Sequence, residues 1–343
     1  VAKQSLRIVV SLVLTAALVA VFLWNVNLRD VGRVLEDADP WWLLVAVFLG
    51  LLSYWIRALR WGLILRPVGR ARHSSLVLAT AVGYAAMTLL PARMGDIIRP
   101  ILLSRRDPLP VSGTLASILT ERLFDLWTVV VFFLLFVFRP PEMILAGRAA
   151  HDLRVLTITG YVLGVGLVLG SLVLLGLFRY QEAFIGLLTR PLARFSRKWH
   201  GHAQSFLHHF LNGLKILKRP RDLVVTLVVS LFLWWLIFWQ VKAVLLAFHL
   251  EMPLRVGYLL VTLAVIGLAI PTPGGVGGFH KGTQLGLTLF FGVGLDRATG
   301  IAIAYHATCF FPITAIGLLC LPLFGLSVRE TTGLAARRPA LED

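Results

Sequence analysis

Six apolar runs restrict what this chain can fold into: Ile8–Trp24, Trp41–Leu65, Ser112–Phe138, Leu156–Phe178, Leu223–Phe248 and Ala298–Phe324. A helix of about 20 mostly apolar residues crosses a bilayer. Within hydrocarbon every backbone N–H and C=O must find a partner inside the protein, which leaves helices or a closed barrel. Runs of this length predict helices, so the expected fold is an all-α polytopic integral membrane protein with about six full spans. Composition agrees. Apolar residues are 58% and charged residues 15%, against about 45–50% and about 25% in an average soluble domain. A soluble enzyme, a disordered chain and a fibrous protein are excluded.

Two further apolar segments are broken. Ser74–Leu90 stops at Pro91-Ala92-Arg93-Met94-Gly95-Asp96, and a short apolar piece then runs to Arg105-Arg106. Val256–Ile270 stops at Pro271-Thr272-Pro273-Gly274-Gly275-Val276-Gly277-Gly278, and a short piece follows to Phe291. Proline removes a backbone donor and glycine admits conformations closed to other residues. Interrupted backbone at membrane depth is tolerated only where protein buries it or water reaches it. Both segments therefore read as re-entrant hairpins. At an offset of 180 residues Pro40 falls on Pro220, Trp55 on Trp235, Pro91 on Pro271 and Gly95 on Gly275. The order of elements also repeats, as an aromatic-rich span, a broken hairpin and a long helix. The expected arrangement is one transmembrane domain over 1–343, with a first repeat at about 40–138 and a second at about 220–325. A basic cytoplasmic loop over 179–221 separates them. Phe206, Phe210, Leu214 and Leu217 predict an amphipathic helix within that loop, lying on the inner leaflet or on the protein itself.

The charges orient the chain. Lys and Arg number 33 against 17 Asp and Glu. The loop between the first two spans is acidic. The one after the second span carries Arg57, Arg60, Arg66, Arg70 and Arg72, and 179–221 holds nine basic residues with one acid, Glu182. The positive-inside rule places the N-terminus and both basic stretches in the cytoplasm. It makes the two repeats opposite in orientation, a pattern that points to transport with a site near the midplane. The same rule accounts for the basic charge without nucleic acid. Arg57 and Arg60 read first as snorkelling side chains at the inner end of their span, with a functional role as the lesser reading. Tyr54, Trp55, Trp61, Trp234, Trp235 and Trp239 read as packing and interface anchors. Cys309 and Cys320 are roughly 16 Å apart along one helix, too far for a disulfide. His200, His202, His208 and His209 lack metal-site spacing. No Walker A, nucleophile elbow or sugar-nucleotide motif appears, so no cofactor and no catalytic residue is expected.

Charge at membrane depth marks the candidate site. Glu121, Arg122 and Asp125 sit in the long helix beginning near Ser112, with Glu121 roughly 14 Å along it. Each charge there costs at least about 2.5–3.5 kcal/mol unless partnered. Arg93, Asp96 and Arg99 lie at the tip of the first hairpin, where Arg93 can meet phosphate oxygens bidentately. These arginines can equally pair with Glu121 and Asp125. Pro271, Gly274, Gly275 and Gly277 form the matching tip, where backbone can approach a ligand closely. His280 and His306 are intramembrane histidines that could titrate as a pair or rest as satisfied core donors.

Three motifs in order carry a resemblance: Leu89-Leu90-Pro91-Ala92-Arg93-Met94-Gly95-Asp96, Glu121-Arg122-Leu123-Phe124-Asp125 and Pro271-Thr272-Pro273-Gly274-Gly275-Val276-Gly277. With them the chain resembles the transmembrane region of lysylphosphatidylglycerol synthases, a flippase-like family (UPF0104), over nearly its whole length. The resemblance implies a domain that moves lipids between leaflets. It also implies Glu shortly after the Pro-Gly-Gly turn, where this chain has His280, and Tyr-Arg in the last long helix, where it has Tyr305-His306. The soluble aminoacyl-transferase domain of the full synthases is not in this sequence, so lysyl-lipid synthesis is not expected. The reading is a multi-pass lipid transporter of the bacterial inner membrane, taking anionic lipid head groups as partners. The alternatives are a membrane subunit or enzyme of lipid glycosylation, and a proton-coupled solute transporter.

Overall fold

A computed structural model describes residues 13–90, 93–141, 150–180, 185–186, 201, 204 and 219–324. The amphipathic stretch and clustered histidines of the 179–221 loop, together with Pro91, lie outside the described residues. Those described form helices and connections, with no strand among them.

The helices are α1 (Val13–Phe22), α2 (Leu28–Glu36), α3 (Pro40–Leu65), α4 (His73–Leu89), α5 (Gly95–Arg106), α6 (Val111–Phe138), α7 (Ala150–Arg179), α8 (Pro220–Ala247), α9 (Val256–Leu268), α10 (Gly278–Leu285) and α11 (Leu295–Cys320). Three are long and apolar enough to cross a membrane: α3, α8, and α11 with its short extension to Phe324. At 28 residues, α6 has the length but carries three charges, Glu121 and Asp125 buried and Arg122 partly so. The hairpin arms α5, α9 and α10 have 12, 13 and 8 residues. At about 1.5 Å per residue none covers about 30 Å of hydrocarbon.

Local chemistry sets the ends of these helices. Pro40 and Pro220, matched by the repeat offset, are each the first helical residue of a long helix, where the missing N–H costs nothing. Asp39 caps α3 by accepting from the Trp41 N–H at 2.8 Å. One element departs from expectation. The acidic connection after the first span contains α2, capped by the Asn27 side chain on the Arg29 N–H. Its Val31 is buried, and Val34 approaches Gly300 of α11 so closely that a Cβ there would sit 2.8 Å from Val34 Cγ1. A helix this short takes its stability from tertiary packing, which composition does not reveal.

The two halves pack as counterparts. The first long helices, α3 and α8, run antiparallel along their length. Asp39 N–H bonds Ala247 O at 2.8 Å, Arg60 meets Ser230 at 3.0 Å, and Arg66 meets Asp222 at 2.6 Å. Arms α4 and α5 meet at Gly83 and Gly95, where a Cβ on Gly95 would strike the Gly83 carbonyl. Arms α9 and α10 meet in the same way at Gly267 and Gly278. The first arm of each hairpin then packs on the last helix of the other half, α4 on α11 and α9 on α6. The hairpin tips touch each other: Arg93 Nη1 lies 3.5 Å from Leu268 O, and a Cβ on Gly274 would lie 3.2 Å from Thr88.

Candidate functional site

Charges from three helices and one hairpin tip converge between the halves. The Glu121 carboxylate of α6 is fully buried and receives Arg99 at 3.1 Å, Arg122 at 3.3 Å and Arg60 at 3.6 Å. One turn on, Asp125 receives Arg60 at 2.8 Å, Arg122 at 3.2 Å, Arg57 at 3.6 Å and the indole N–H of Trp234 at 3.2 Å. Asp96 receives Arg122 at 3.2 Å and Arg93 at 3.4 Å. The Arg99 guanidinium carbon lies over the Trp61 ring, 3.9 Å from its centre, and the Trp61 indole N–H donates a 2.8 Å hydrogen bond to Ser117. Breaking up such a network leaves uncompensated buried charge, which costs several kcal/mol per ion. The i,i+4 spacing of Glu121 and Asp125 places both on one face of α6, and α3 answers with Arg57 and Arg60 at i,i+3.

The network borders a cavity of about 270 Å3. Its lining includes the polar side chains of Arg57, Arg93, Arg122, Asp125, Tyr54 and Tyr84, and much of the rest is hydrocarbon and aromatic, including Ile237, Val261, Val265, Leu268, Phe279 and Phe310. Arg93 reaches the cavity from a strained backbone, with φ at +55°. A left-handed conformation costs a non-glycine residue roughly 1–2 kcal/mol.

The second tip closes the cavity with backbone. Gly274, Gly275 and Gly277 have φ of +59°, +67° and +87°, values a side chain resists. Gly274 O accepts a 2.8 Å hydrogen bond from His306 Nε2. The Gly277 N–H donates to His280 Nδ1 at 3.3 Å. The two imidazole centres are 4.3 Å apart, and His306 also stacks on Phe310 at 4.4 Å. The positions at which the sequence departs from the expected Glu and Arg are therefore neighbours. A ring pair stands where the resemblance implies an ion pair.

A family model, the lysylphosphatidylglycerol synthase TM region, matches residues 8–317. The chain belongs to that family. It is also 24% identical to a UPF0104 membrane protein of Methanothermobacter thermautotrophicus, over 96% of this chain and 97% of the relative. A shorter match, 32% identical over 127 residues, is to Glycosyltransferase AglD of Haloferax volcanii. It covers 37% of this chain and 20% of that relative.

In this lysylphosphatidylglycerol synthase TM family member, a multi-pass membrane protein, the residues singled out in the sequence divide into three groups. Arg93, Arg122, Asp125, Gly274 and Gly275 line the cavity. Asp96 and Glu121 stand behind it and hold its arginines, and Arg99 pairs with Glu121. His280, His306, Gly277 and Pro271 belong to the second tip and its support rather than to the cavity lining. The expectation for Arg57 and Arg60 is corrected. Neither snorkels: Arg60 is fully buried on both carboxylates, and Arg57 faces the cavity. The carboxylates of α6 make the inward rotamer favourable, a partner that α3's own sequence does not display. Trp234, expected to be an anchor, donates to Asp125. Tyr84, absent from the expected site, lies 3.4 Å from Arg122. Ser230 bonds Arg60 in the same way. The signal for Ser230 was weak but present, a small polar residue on a face toward which a buried charge can turn.

Proposed function

We propose that the protein is a lipid transporter of flippase or scramblase type, which moves an anionic phospholipid or polyprenyl-phosphate-type head group between leaflets. The observation that carries this reading is the mixed lining of the cavity, where guanidinium groups stand among hydrocarbon and aromatic side chains. A lipid head group and the first carbons of its tails make the same combination. Arg57, Arg93 and Arg122 contact phosphate oxygens; Glu121, Asp125 and Asp96 keep those arginines aimed. The halves act as inverted repeats, supported by the antiparallel α3 and α8 and by the crossed packing of each hairpin on the opposite half. The hairpins are re-entrant in this reading, one from each side, supported by the short α5, α9 and α10, with tips meeting near the midplane. The N-terminus and the turn from Arg66 to Arg72 face the cytoplasm, in a cytoplasmic membrane of the bacterial inner-membrane kind. The chain itself is no enzyme in this reading, and its partners are membrane lipids.

The test is transfer of fluorescent lipid across proteoliposome membranes. Arg93→Ala and Arg93→Gly should each abolish transfer. The glycine variant suits the positive φ, so its failure cannot be blamed on backbone strain. Unchanged rates in both would sink the site.

The similarity to part of Glycosyltransferase AglD favours a second reading, a membrane subunit of lipid glycosylation. It predicts that a sugar-charged lipid is retained and modified in the presence of a transferase, with no leaflet exchange by this chain alone.

A further inference from the structure

The charges around the cavity do not cancel. Among the described residues, the ion-pair network holds five guanidiniums (Arg57, Arg60, Arg93, Arg99, Arg122) and three carboxylates (Asp96, Glu121, Asp125). Five minus three leaves an excess of two positive charges. The cavity wall alone gives the same difference, with Arg57, Arg93 and Arg122 against Asp125. The excess is also directed. Arg60 and Arg99 have close carboxylate contacts, at 2.8 and 3.1 Å, and are buried away from the cavity. Arg57 and Arg93 have loose ones, at 3.6 and 3.4 Å, and both face it.

Uncompensated charge at membrane depth is costly, and two such charges are best neutralised by a ligand carrying two. A phosphodiester head group supplies one. A phosphomonoester supplies nearly two at neutral pH, because its second ionisation lies near pH ~6, and it offers three terminal oxygens to forked guanidinium donors. Resting on the transport reading above, we infer that the cavity selects a compact dianionic phosphomonoester head group, on a glycerolipid or a polyprenyl chain, over monoanionic phosphodiesters. Arg57 and Arg93 grip the terminal oxygens.

The test uses the full chain in phosphatidylcholine nanodiscs for binding and in phosphatidylcholine liposomes for transfer, at pH 7.5. The probes are short-chain fluorescent phosphatidic acid and phosphatidylglycerol, with polyprenyl monophosphate and inorganic phosphate as competitors. Phosphatidic acid should be bound and moved about tenfold or more in preference to phosphatidylglycerol. Arg57→Gln, which removes one charge, should bring the ratio toward one, and Arg57→Lys should keep most of it. Equal transfer of both lipids by the unaltered chain overturns the charge inference and leaves the transport reading standing. A preference that survives Arg57→Gln overturns it as well. Selective binding of phosphatidic acid without transfer supports the head-group assignment and sinks the transport reading. Neither binding nor transfer of any probe sinks both. Competition by polyprenyl monophosphate assigns the prenyl carrier. Competition by inorganic phosphate at equal concentration removes the lipid from the inference.

Discussion

The two hairpins share a way of packing and differ in chemistry. In each, the arms approach through a pair of glycines with no room for a Cβ, Gly83 with Gly95 and Gly267 with Gly278. In each, the first arm leans on the last helix of the other half. Yet the first tip presents Arg93, Asp96 and Arg99, and the second presents positive-φ glycines, a backbone carbonyl and an imidazole pair. Close approach of the arms is thus a demand of the fold, met twice. Charge is met once, and its partners come from the half it belongs to: α3 and α6 supply Arg57, Arg60, Glu121, Arg122 and Asp125. The second half contributes a backbone surface, the Trp234 indole that donates to Asp125 and the Ser230 hydroxyl that accepts from Arg60. Two equally charged hairpins would leave still more charge to neutralise at membrane depth.

The largest effect should come from the charged side. Glu121→Gln removes the carboxylate shared by Arg60, Arg99 and Arg122 and leaves those guanidiniums buried with one fewer counter-charge. A loss of about 3–5 kcal/mol is expected, visible as a collapse of the thermal midpoint of the detergent-solubilised protein. A midpoint within a degree of the unaltered chain would mean that water, rather than Glu121, neutralises the network. The next effect probes what the hairpins share. Gly95→Ala and Gly278→Ala should each cost about 1–3 kcal/mol, the cost of forcing a methyl group against packed backbone. Similar shifts in both would uphold the correspondence of the hairpins, and a shift in Gly95→Ala alone would break it. Trp234→Phe is smaller. It removes one of four donors to Asp125 and keeps the ring, so about 1 kcal/mol is expected, with a larger proportional loss of transfer rate if Asp125 aims Arg57.

Particular residues show how far the sequence could be read. Pro271 to Gly278 announce a break because no helix accommodates that run, and Glu121 to Asp125 announce a site because charge at that depth needs a partner. Both are properties of a local stretch of chain. A site role for Arg57 and Arg60 was legible only as the lesser of two readings. At the end of an apolar run, an arginine reaching for the interface and one turned inward have the same sequence signature. The choice is made by carboxylates more than fifty residues away. Trp234 packs in the core, as its reading allowed, but its bond to Asp125 was hidden for the same reason, since an indole N–H facing a membrane interface and one facing Asp125 read alike. The charge count changes with this. Arg57 and Arg60 belong to the site rather than to the topological excess, and without them the difference of two charges at the cavity would be invisible.

The second tip allows the gentlest test of the comparison. His306→Phe keeps a ring to stack on Phe310 and face His280, and deletes only the hydrogen bond to the Gly274 carbonyl. A single neutral bond of this kind is worth about 0.5–1.5 kcal/mol net, so the protein should stay folded with a midpoint lowered by a few degrees at most. Gly274 O would then be free in a turn held open by three positive-φ glycines. If the second tip works as a shaped backbone wall, its loosening should weaken lipid binding uniformly across head groups, because no charge has changed. If instead His306→Phe alters the ratio between phosphatidic acid and phosphatidylglycerol, the imidazole pair carries charge in the binding step. The division between a charged hairpin and a backbone hairpin would then fail at the residue where this chain departs from the expected arginine.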